Sequence, residues 1–293
     1  MIRVTLFSLF FALLMVSCED PDPEPSIPAY LRIEKIDFAN SQPAIYGSSG
    51  ASITDAWVFA NEQLIGVFEL PCEVPILSTG NTDIRVGAGI KVNGISATRA
   101  INPFYTYYTE EVTLYADSVV TIEPSVDYAL GTTVVWSEGF EDSSPSFDTI
   151  ATSDVRLERI ELESPDNTYN GFIAQATLTP ENPGLKALTN VNYPLPAGGT
   201  PVYFEFDFSC NQQIVLSIIQ EEPSGLQQEQ ILIFLNPTSE DAERVWKHLY
   251  LDLTDQVGFA VDADKFGMGL TAFHNSANDT GYVFVDNLKL VYR

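Results

Sequence analysis

The segment VYFEFDF, residues 202–208, alternates aromatic and polar side chains with a period of two. Successive side chains of a β-strand point to opposite faces, so the three phenylalanines would share one face and Tyr203, Glu205 and Asp207 the other. Phenylalanine favours strands, and an alternating apolar face is typical of a strand that covers a core. The segment therefore predicts a half-buried β-strand with one polar-aromatic face.

The segment VWKHLYLDL, residues 245–253, repeats this pattern and suggests a sugar-binding surface. Its polar-aromatic face would carry aromatic rings and a carboxylate, which can stack on a pyranose ring and orient its hydroxyl groups. If both strands belong to one sheet, their faces line a common concave surface. The predicted ligand-binding residues are Trp246, Tyr250, Asp252, Tyr203 and Glu205. The alternative is that Trp246 and Tyr250 pack in a second hydrophobic layer.

The same strand signals recur along the whole chain, while helical periodicity is nearly absent. Short β-branched and aromatic runs between turn residues predict an all-β protein. The length suits two domains, which we place at residues 29–128 and 132–293. The boundary falls between the strand-like segments SVVTIEP, residues 118–124, and TTVVWSE, residues 132–138.

The first half predicts a small β-sandwich. The clearest hairpin is AWVFANEQLIGVFELP, residues 56–71, in which ANEQ can form the turn. The predicted strands are residues 30–38, 55–60, 63–69, 82–90, 98–104 and 118–123. This half resembles carboxypeptidase-regulatory-like or immunoglobulin-like modules, and residues 55–105 resemble the amino-terminal module of uncharacterised Bacteroidetes lipoproteins. That resemblance implies no catalytic role.

The second half predicts a jelly roll, because it has enough strands for two packed sheets. The predicted strands are residues 132–138, 155–162, 172–178, 201–208, 213–220, 229–235, 245–253, 266–273 and 281–291. The segment WSEGFED, residues 136–142, opens this half and GYVFVDNLKLVYR, residues 281–293, closes it. Together they resemble the first and last strands of galactose-binding-like jelly rolls, the architecture of many carbohydrate-binding modules.

The jelly-roll resemblance also implies a structural calcium ion that joins the two ends of the domain. The matching residues here are Glu138, Glu141 and Asp286. Carboxylate oxygens from separate strands are ligands that calcium accepts. The alternative is that these acids are solvated at strand ends.

The amino terminus predicts a lipoprotein signal peptide, residues 1–17. Residues 4–16 carry no charge, and this run is too short to cross a bilayer. The segment LMVSC, residues 14–18, resembles the lipobox of bacterial lipoproteins, although Met15 stands where that family prefers leucine. The resemblance implies that Cys18 carries the diacylglycerol and acyl chains of a membrane anchor.

Residues 18–28 alternate acids and prolines, which predicts an extended, solvated stalk. An acidic patch directly after the lipidated cysteine resembles the export signal of surface lipoproteins in the Bacteroidetes. The resemblance implies an outer-membrane protein that faces the cell exterior. The alternative is a spacer that faces the periplasm.

The net charge restricts the possible partners, and the number of cysteines bears on whether the protein has a disulfide. With 14 basic and 40 acidic residues the chain has a net charge of −26, which repels nucleic acids and anionic lipid surfaces. Apart from Cys18, the chain has two cysteines, Cys72 and Cys210. A secreted protein that depended on disulfides would have more of them. We therefore favour two unpaired thiols over a disulfide.

The sequence predicts no enzyme. Neither His248 nor His274 lies in an HExxH motif, and the chain has no GxSxG, Walker, GxGxxG or CxxC motif. Carboxylates are too abundant to single out a glycosidase pair, so a glycoside hydrolase is unsupported. Two hypotheses remain: a surface lipoprotein with a structural or interaction role, and an accessory lipoprotein of an outer-membrane sugar-uptake system that binds a neutral or basic glycan.

Overall fold

The structure is a computed structural model that describes residues 27–47, 50–162, 171–239, 244–275 and 280–293. The predicted signal peptide, Cys18 and all of the stalk before residue 27 lie outside these residues. Within the described ranges, no helix has the length and apolar character needed to cross a membrane.

The first half is a small β-sandwich. One sheet has the order β4-β3-β6-β7 with β8 also paired to β6, a second has the order β5-β1-β9, and β2 pairs with β10. The β3–β4 hairpin turns at Asn61 and Glu62, which both have positive φ, as the two-residue turns of hairpins require. The strands are β1 (Ala29–Ile33), β2 (Asp37–Phe38), β3 (Asp55–Ala60), β4 (Gln63–Glu69), β5 (Cys72–Ile76), β6 (Gly80–Lys91), β7 (Arg99–Ile101), β8 (Tyr108–Leu114), β9 (Val119–Ile122) and β10 (Ser125–Val126), with helix α1 at Pro43–Tyr46.

The second half is a sandwich of two antiparallel sheets. The front sheet has the order β13-β14-β21-β16-β19 with β11 also paired to β21, and the back sheet has the order β12-β15-β20-β17-β18. The strands are β11 (Thr133–Glu138), β12 (Phe147–Thr149), β13 (Glu158–Leu162), β14 (Gly171–Leu178), β15 (Gly184–Thr189), β16 (Val202–Cys210), β17 (Ile214–Glu221), β18 (Gln227–Leu235), β19 (Lys247–Asp252), β20 (Lys265–Phe273) and β21 (Gly281–Tyr292), with helix α2 at Thr254–Phe259.

The core of the second half lies between its two sheets and contains the phenylalanines of β16. The rings of Phe204 and Phe206 stack at 5.2 Å, and those of Phe206 and Phe208 at 5.3 Å. Leu249 and Leu251 of β19 enter the same core. The period of two in both segments therefore predicted correctly which side chains face the core.

The all-β sandwich fold predicted from the sequence is confirmed, but five strands were missed, of which β10 has only two residues. β5 contains Pro75, which a strand tolerates here because β5 lies at a sheet edge. β8 exposes consecutive acids, while β12 is short and β15 begins at a glycine. Cys72 and Cys210 are both free thiols, as favoured above, with Cys210 buried and Cys72 half-buried.

The two halves share an apolar interface. Tyr203, Tyr250 and Val291 of the front sheet belong to the hydrophobic core of the first half. The ring of Phe104 meets that of Tyr203 edge-on at 5.1 Å. The backbone N–H of Asn93 donates to the carbonyl oxygen of Tyr250 at 2.7 Å. The first half therefore covers part of the outer face of the front sheet.

Candidate functional site

The predicted ligand-binding face exists, but most of it is covered. β16 and β19 are neighbours in the front sheet, with Tyr203 opposite Asp252 and Glu205 opposite Tyr250. However, Tyr203, Glu205 and Tyr250 are 5%, 0% and 1% exposed. These three side chains do not form a sugar platform, because the first half packs on the face that they share.

Asp252 is also engaged in hydrogen bonds within the protein. Its backbone N–H donates to the Asn93 side-chain oxygen at 2.9 Å, and its carboxylate accepts a bond from the N–H of Thr254 at 2.9 Å. Asp252 therefore connects the first half to the start of α2. This position leaves Trp246 as the one predicted sugar-stacking residue outside the interface.

Trp246 is half-buried beside an aromatic group on the outer face of the front sheet. Its ring lies 6.5 Å from that of Phe284, which stacks on Tyr282 at 6.2 Å. Leu162 and Ile173 pack beneath these rings. The arrangement places an aromatic group at the edge of the covered region.

A cleft of about 1160 Å³ opens next to Trp246, between the first half and the front sheet. Its floor includes Asp207, His248 and Asp286, and the segment after residue 49 forms part of the opposite wall. This wall lies close to the floor, because a Cβ atom added to Gly50 would be 2.9 Å from Asp207 Oδ2. The remaining polar lining comprises Ser52, Thr54, Lys91, Ser137, Glu138, Glu141, Asp142, Ser144, Ser146, Lys247 and Asn287.

The three predicted calcium ligands all line this cleft, although they are not arranged as a metal site. Both carboxylate oxygens of Glu138 accept hydrogen bonds, from the N–H of Phe140 at 2.6 Å and from the hydroxyl of Ser146 at 2.8 Å. Glu141 accepts a bond from Phe172 N–H at 3.2 Å. No group of three His, Cys, Asp or Glu side chains in the described residues is placed to hold a metal ion. The calcium site stays a prediction of the sequence.

Asp286 has an unusual protonation equilibrium. Its pKa is raised to about 8, mainly by burial; the N–H of Asn287 opposes the rise, and the nearby carboxylates of Asp207, Glu141 and Glu138 add to it. The carboxyl group is therefore largely protonated at neutral pH. A buried acid in this state is a frequent feature of binding and catalytic sites.

Asp207 and His248 form a buried pair on the cleft floor. His248 Nδ1 lies 2.7 Å from Asp207 Oδ1, and the side-chain amide of Asn287 donates to Asp207 Oδ2 at 2.7 Å. The side chains of His248 and Asp207 are 4% and 2% exposed. Sequence reasoning placed His248 and Asp207 on the predicted polar-aromatic faces but gave them no role.

A second buried pair, Glu205 and Lys289, lies deeper in the interface. The two residues face each other across β16 and β21 and are 0% and 1% exposed. Burial raises the pKa of Glu205 against the attraction of His248 and Lys289, and burial lowers the pKa of Lys289 against the attraction of Glu205 and Asp207. Lys289 Nζ also donates to the hydroxyl of Tyr128 at 3.3 Å. Lys289 stands between Leu288 and Leu290 in the closing strand, and this charged residue in an apolar segment could have indicated the pair from the sequence.

Comparison with known proteins gives a partial structural similarity only. No protein-family model matches the chain, and no curated protein matches it. The chain is similar to the CBM22-1–GH10 modules of xylanase Xyn10B from Clostridium thermocellum, at 11% identity and a TM-score of 0.38, covering 55% of this chain and 28% of that one.

Two further similarities cover nearly all of the other protein. The family 11 carbohydrate-binding module of the C. thermocellum cellulase Lic26A-Cel5E is 13% identical, with a TM-score of 0.37 over 56% of this chain and 96% of the module. The K3 adhesin domain of Lys-gingipain from Porphyromonas gingivalis gives 13% identity, a TM-score of 0.37 and coverages of 55% and 99%. At these scores the similarities decide nothing about the ligand.

Proposed function

We propose that this protein is a non-catalytic lipoprotein that binds a glycan in the cleft beside Trp246. The observation that supports this most directly is the position of Trp246, a half-buried ring at the edge of a polar cleft. Protein sites for sugars combine an apolar ring, which stacks on a pyranose face, with polar groups that orient the hydroxyls. Trp246 supplies the first and the cleft lining supplies the second.

The lining of the cleft is well suited to a ligand that is rich in hydroxyl groups. The serines and Thr54 provide hydroxyls that donate or accept, the carboxylates accept, and Asn287 offers an amide. The volume of about 1160 Å³ is slightly larger than that of typical ligand sites, which gives room for more than one sugar unit. Acidic polysaccharides are disfavoured, because the cleft and the whole chain are acidic.

A binding role fits the buried Asp207–His248 pair better than a catalytic one. In a hydrolase triad, the second ring nitrogen of the histidine bonds a nucleophilic hydroxyl. Within the described residues, His248 Nε2 has no hydrogen-bond partner. Among the described residues, Asp207 holds the Nδ1 side of this histidine and no hydroxyl or thiol is bonded to its Nε2 atom.

The predicted membrane anchor and cellular location of the protein complete the proposal. A lipid on Cys18 and an acidic stalk would hold the cleft outside the outer membrane, where extracellular polysaccharides pass. The protein would then serve as an accessory to a sugar-uptake system. A purely structural surface role remains the alternative if no glycan binds.

Trp246→Ala should abolish retention of the protein in a polysaccharide-containing native gel. Removal of one stacking ring loses about 1 kcal/mol or more from a weak site, which is enough to lose visible retention. Because Trp246 is only half-buried, its loss should cost less stability than the 3–5 kcal/mol typical of a buried tryptophan. Phe259→Ala is the control, since this ring is 80% exposed and Phe259 does not line the cleft. Unchanged retention of Trp246→Ala would remove the main residue of the proposal.

Cys18→Ala should release the protein from the membrane fraction. Stable anchoring of a soluble domain requires attached acyl chains, and this variant has no thiol at position 18 to carry them. The measurement is fractionation of cells followed by immunoblotting, with Cys72→Ala as a matched control. Equal membrane association of the wild type and Cys18→Ala would refute the anchor.

A further inference from the structure

One end of the first half carries a group of exposed apolar side chains. Ile27, Leu77, Tyr115 and Val119 are between 47% and 68% exposed. Single exposed apolar residues are ordinary on a protein surface, whereas several at one place mark a surface that contacts a partner or a membrane. We call these four residues the apolar tip.

The start of β1 places Ile27 beside the two loops that carry the other tip residues. In the β1–β5 ladder Ala29 pairs with Ile76, so Leu77 follows directly beyond the end of this ladder. On the other side of β1, the N–H of Asp117 donates to the carbonyl oxygen of the residue after Ile27 at 2.9 Å. Ile27 therefore lies between the loop after β5 and the loop before β9.

The loop between β8 and β9, residues 115–118, supplies the rest of the apolar tip. It begins with Tyr115, and Val119 follows it as the first residue of β9. The last residue of β8, Leu114, pairs with the first residue of β6, Gly80. Strands of both sheets of the first sandwich therefore end at the apolar tip.

Charged residues are scarce around the apolar tip. Residues 27–31, 74–82 and 112–122 contain one, Asp117, although charged residues make up 18% of the chain. Removing a charged group from water is costly unless it is paired. A contact between the apolar tip and another surface therefore requires the desolvation of few charges.

The described part of the chain begins at the apolar tip. Ile27 is the first described residue, and nine peptide steps separate it from Cys18, the predicted lipid-bearing residue. A chain of this length spans at most about 32 Å. Residues 19–26 are four acids, three prolines and a serine, so they offer little apolar area that could cover the tip. A lipid on Cys18 would thus hold this end of the protein close to the membrane.

We propose that the apolar tip contacts the lipid surface to which Cys18 attaches the protein. This inference rests on the lipid anchor of the proposed function and adds the face that meets the membrane. Tyr115 suits such a contact, because tyrosine has an apolar ring with a polar hydroxyl and is enriched at membrane interfaces. The lipid is neutral or zwitterionic, since the net charge of −26 repels anionic surfaces.

The contact also determines where the cleft lies relative to the membrane. β6 begins at the apolar tip with Gly80 and ends at Lys91, which lines the cleft. At about 3.3 Å per residue, this strand spans roughly 35 Å. With the apolar tip on the lipid, the cleft lies on the side of the protein away from the membrane, where a soluble polysaccharide can reach it.

Short-range quenching by the lipid tests the contact. The full lipoprotein with Cys72→Ser is labelled with an environment-sensitive fluorophore at Tyr115→Cys or, as the control, at Leu130→Cys. Leu130 is 95% exposed, and its carbonyl oxygen accepts a hydrogen bond from Arg293 at the end of the second half. Each protein is added to phosphatidylcholine vesicles with or without a lipid that carries a nitroxide in its acyl chain. We expect the nitroxide to quench most of the fluorescence at position 115 and little at position 130.

Matched charge variants separate the apolar tip from the general surface. Leu77→Glu with Val119→Glu places two charges in the tip, whereas Val191→Glu with Phe273→Glu places two at exposed apolar positions of the second half. The first pair should reduce the quenching at position 115 to the level of the control, because charged groups resist transfer into lipid. The second pair should leave it unchanged. All four positions are exposed, and melting curves check that both variants fold.

Each outcome has one meaning. If the labelled lipoprotein does not float with the vesicles in a density gradient, the lipid anchor of the proposed function fails. If it floats but the labels at positions 115 and 130 are quenched alike, or neither is quenched, the anchor stands and the contact of the apolar tip with lipid is wrong. If both charge pairs reduce the quenching equally, the contact depends on the net charge of the protein, and the inference is also wrong.

Discussion

Tyr250→Ala is expected to lower the free energy of unfolding by about 3–5 kcal/mol, as for other large buried aromatic residues. Tyr250 is 1% exposed and belongs to the core that both halves share. Its hydroxyl accepts a hydrogen bond from the N–H of Ser52 at 2.9 Å. The substitution therefore leaves a cavity in the interface and breaks a contact between the halves.

The measurement is urea-induced unfolding, followed by fluorescence, with Tyr250→Phe as the matched control. The control keeps the ring and loses only the hydroxyl bond, so it should cost about 1 kcal/mol. A loss below 1 kcal/mol for Tyr250→Ala would contradict the shared interface. Such a result would restore Tyr250 as an exposed sugar-binding residue.

Asp286→Asn should stabilise the protein, and the gain should grow as the pH rises from about 4 to 8. The pKa of Asp286 is raised to about 8 in the folded protein, compared with 3.8 for an ordinary aspartate. Within this window the unfolded chain has lost the proton and the folded chain has kept it, so each pH unit costs the wild type up to about 1.4 kcal/mol. The cost is absent below the lower pKa and constant above the upper one.

Asparagine cannot ionise, so the variant avoids this penalty. We expect the difference in unfolding free energy between variant and wild type to grow by about 3–5 kcal/mol across the window, with most stability lost by the wild type on the alkaline side. Asp142→Asn is the control, because Asp142 is exposed in the same cleft. Parallel pH profiles for Asp286→Asn and the wild type would show that Asp286 titrates like a surface acid.

The fold was largely predictable because local periodicity determines which side chains share a face. The alternation around Phe206 and Leu249 identified the core-facing side chains of β16 and β19, and the structure confirms them. What covers the opposite face depends on residues far away in the sequence. The contact between Ser52 and Tyr250 spans 198 positions, and no local pattern indicates it.

The candidate site, like the fold, was only partly predictable from the sequence. The opening and closing segments of the second half pointed to Glu138 and Asp286 as calcium ligands; both line the cleft because β11 and β21 are neighbours, while the calcium role stays a prediction. The sequence did not indicate the wall contributed by Gly50 and Ser52, since the first half reaches the cleft only through the tertiary packing. For the same reason, the aromatic residue that stays accessible is Trp246 rather than Tyr250.

A glycan array probed with cleft-blocked variants tests the proposed binding site most directly. Ser144→Trp places a large ring in the cleft at an exposed position, and Ser143→Trp places the same ring at the next exposed position, which does not line the cleft. We predict that the wild type and Ser143→Trp bind the same glycans and that Ser144→Trp binds none of them. Equal binding by the two variants, or no binding by the wild type, would contradict a glycan site in this cleft.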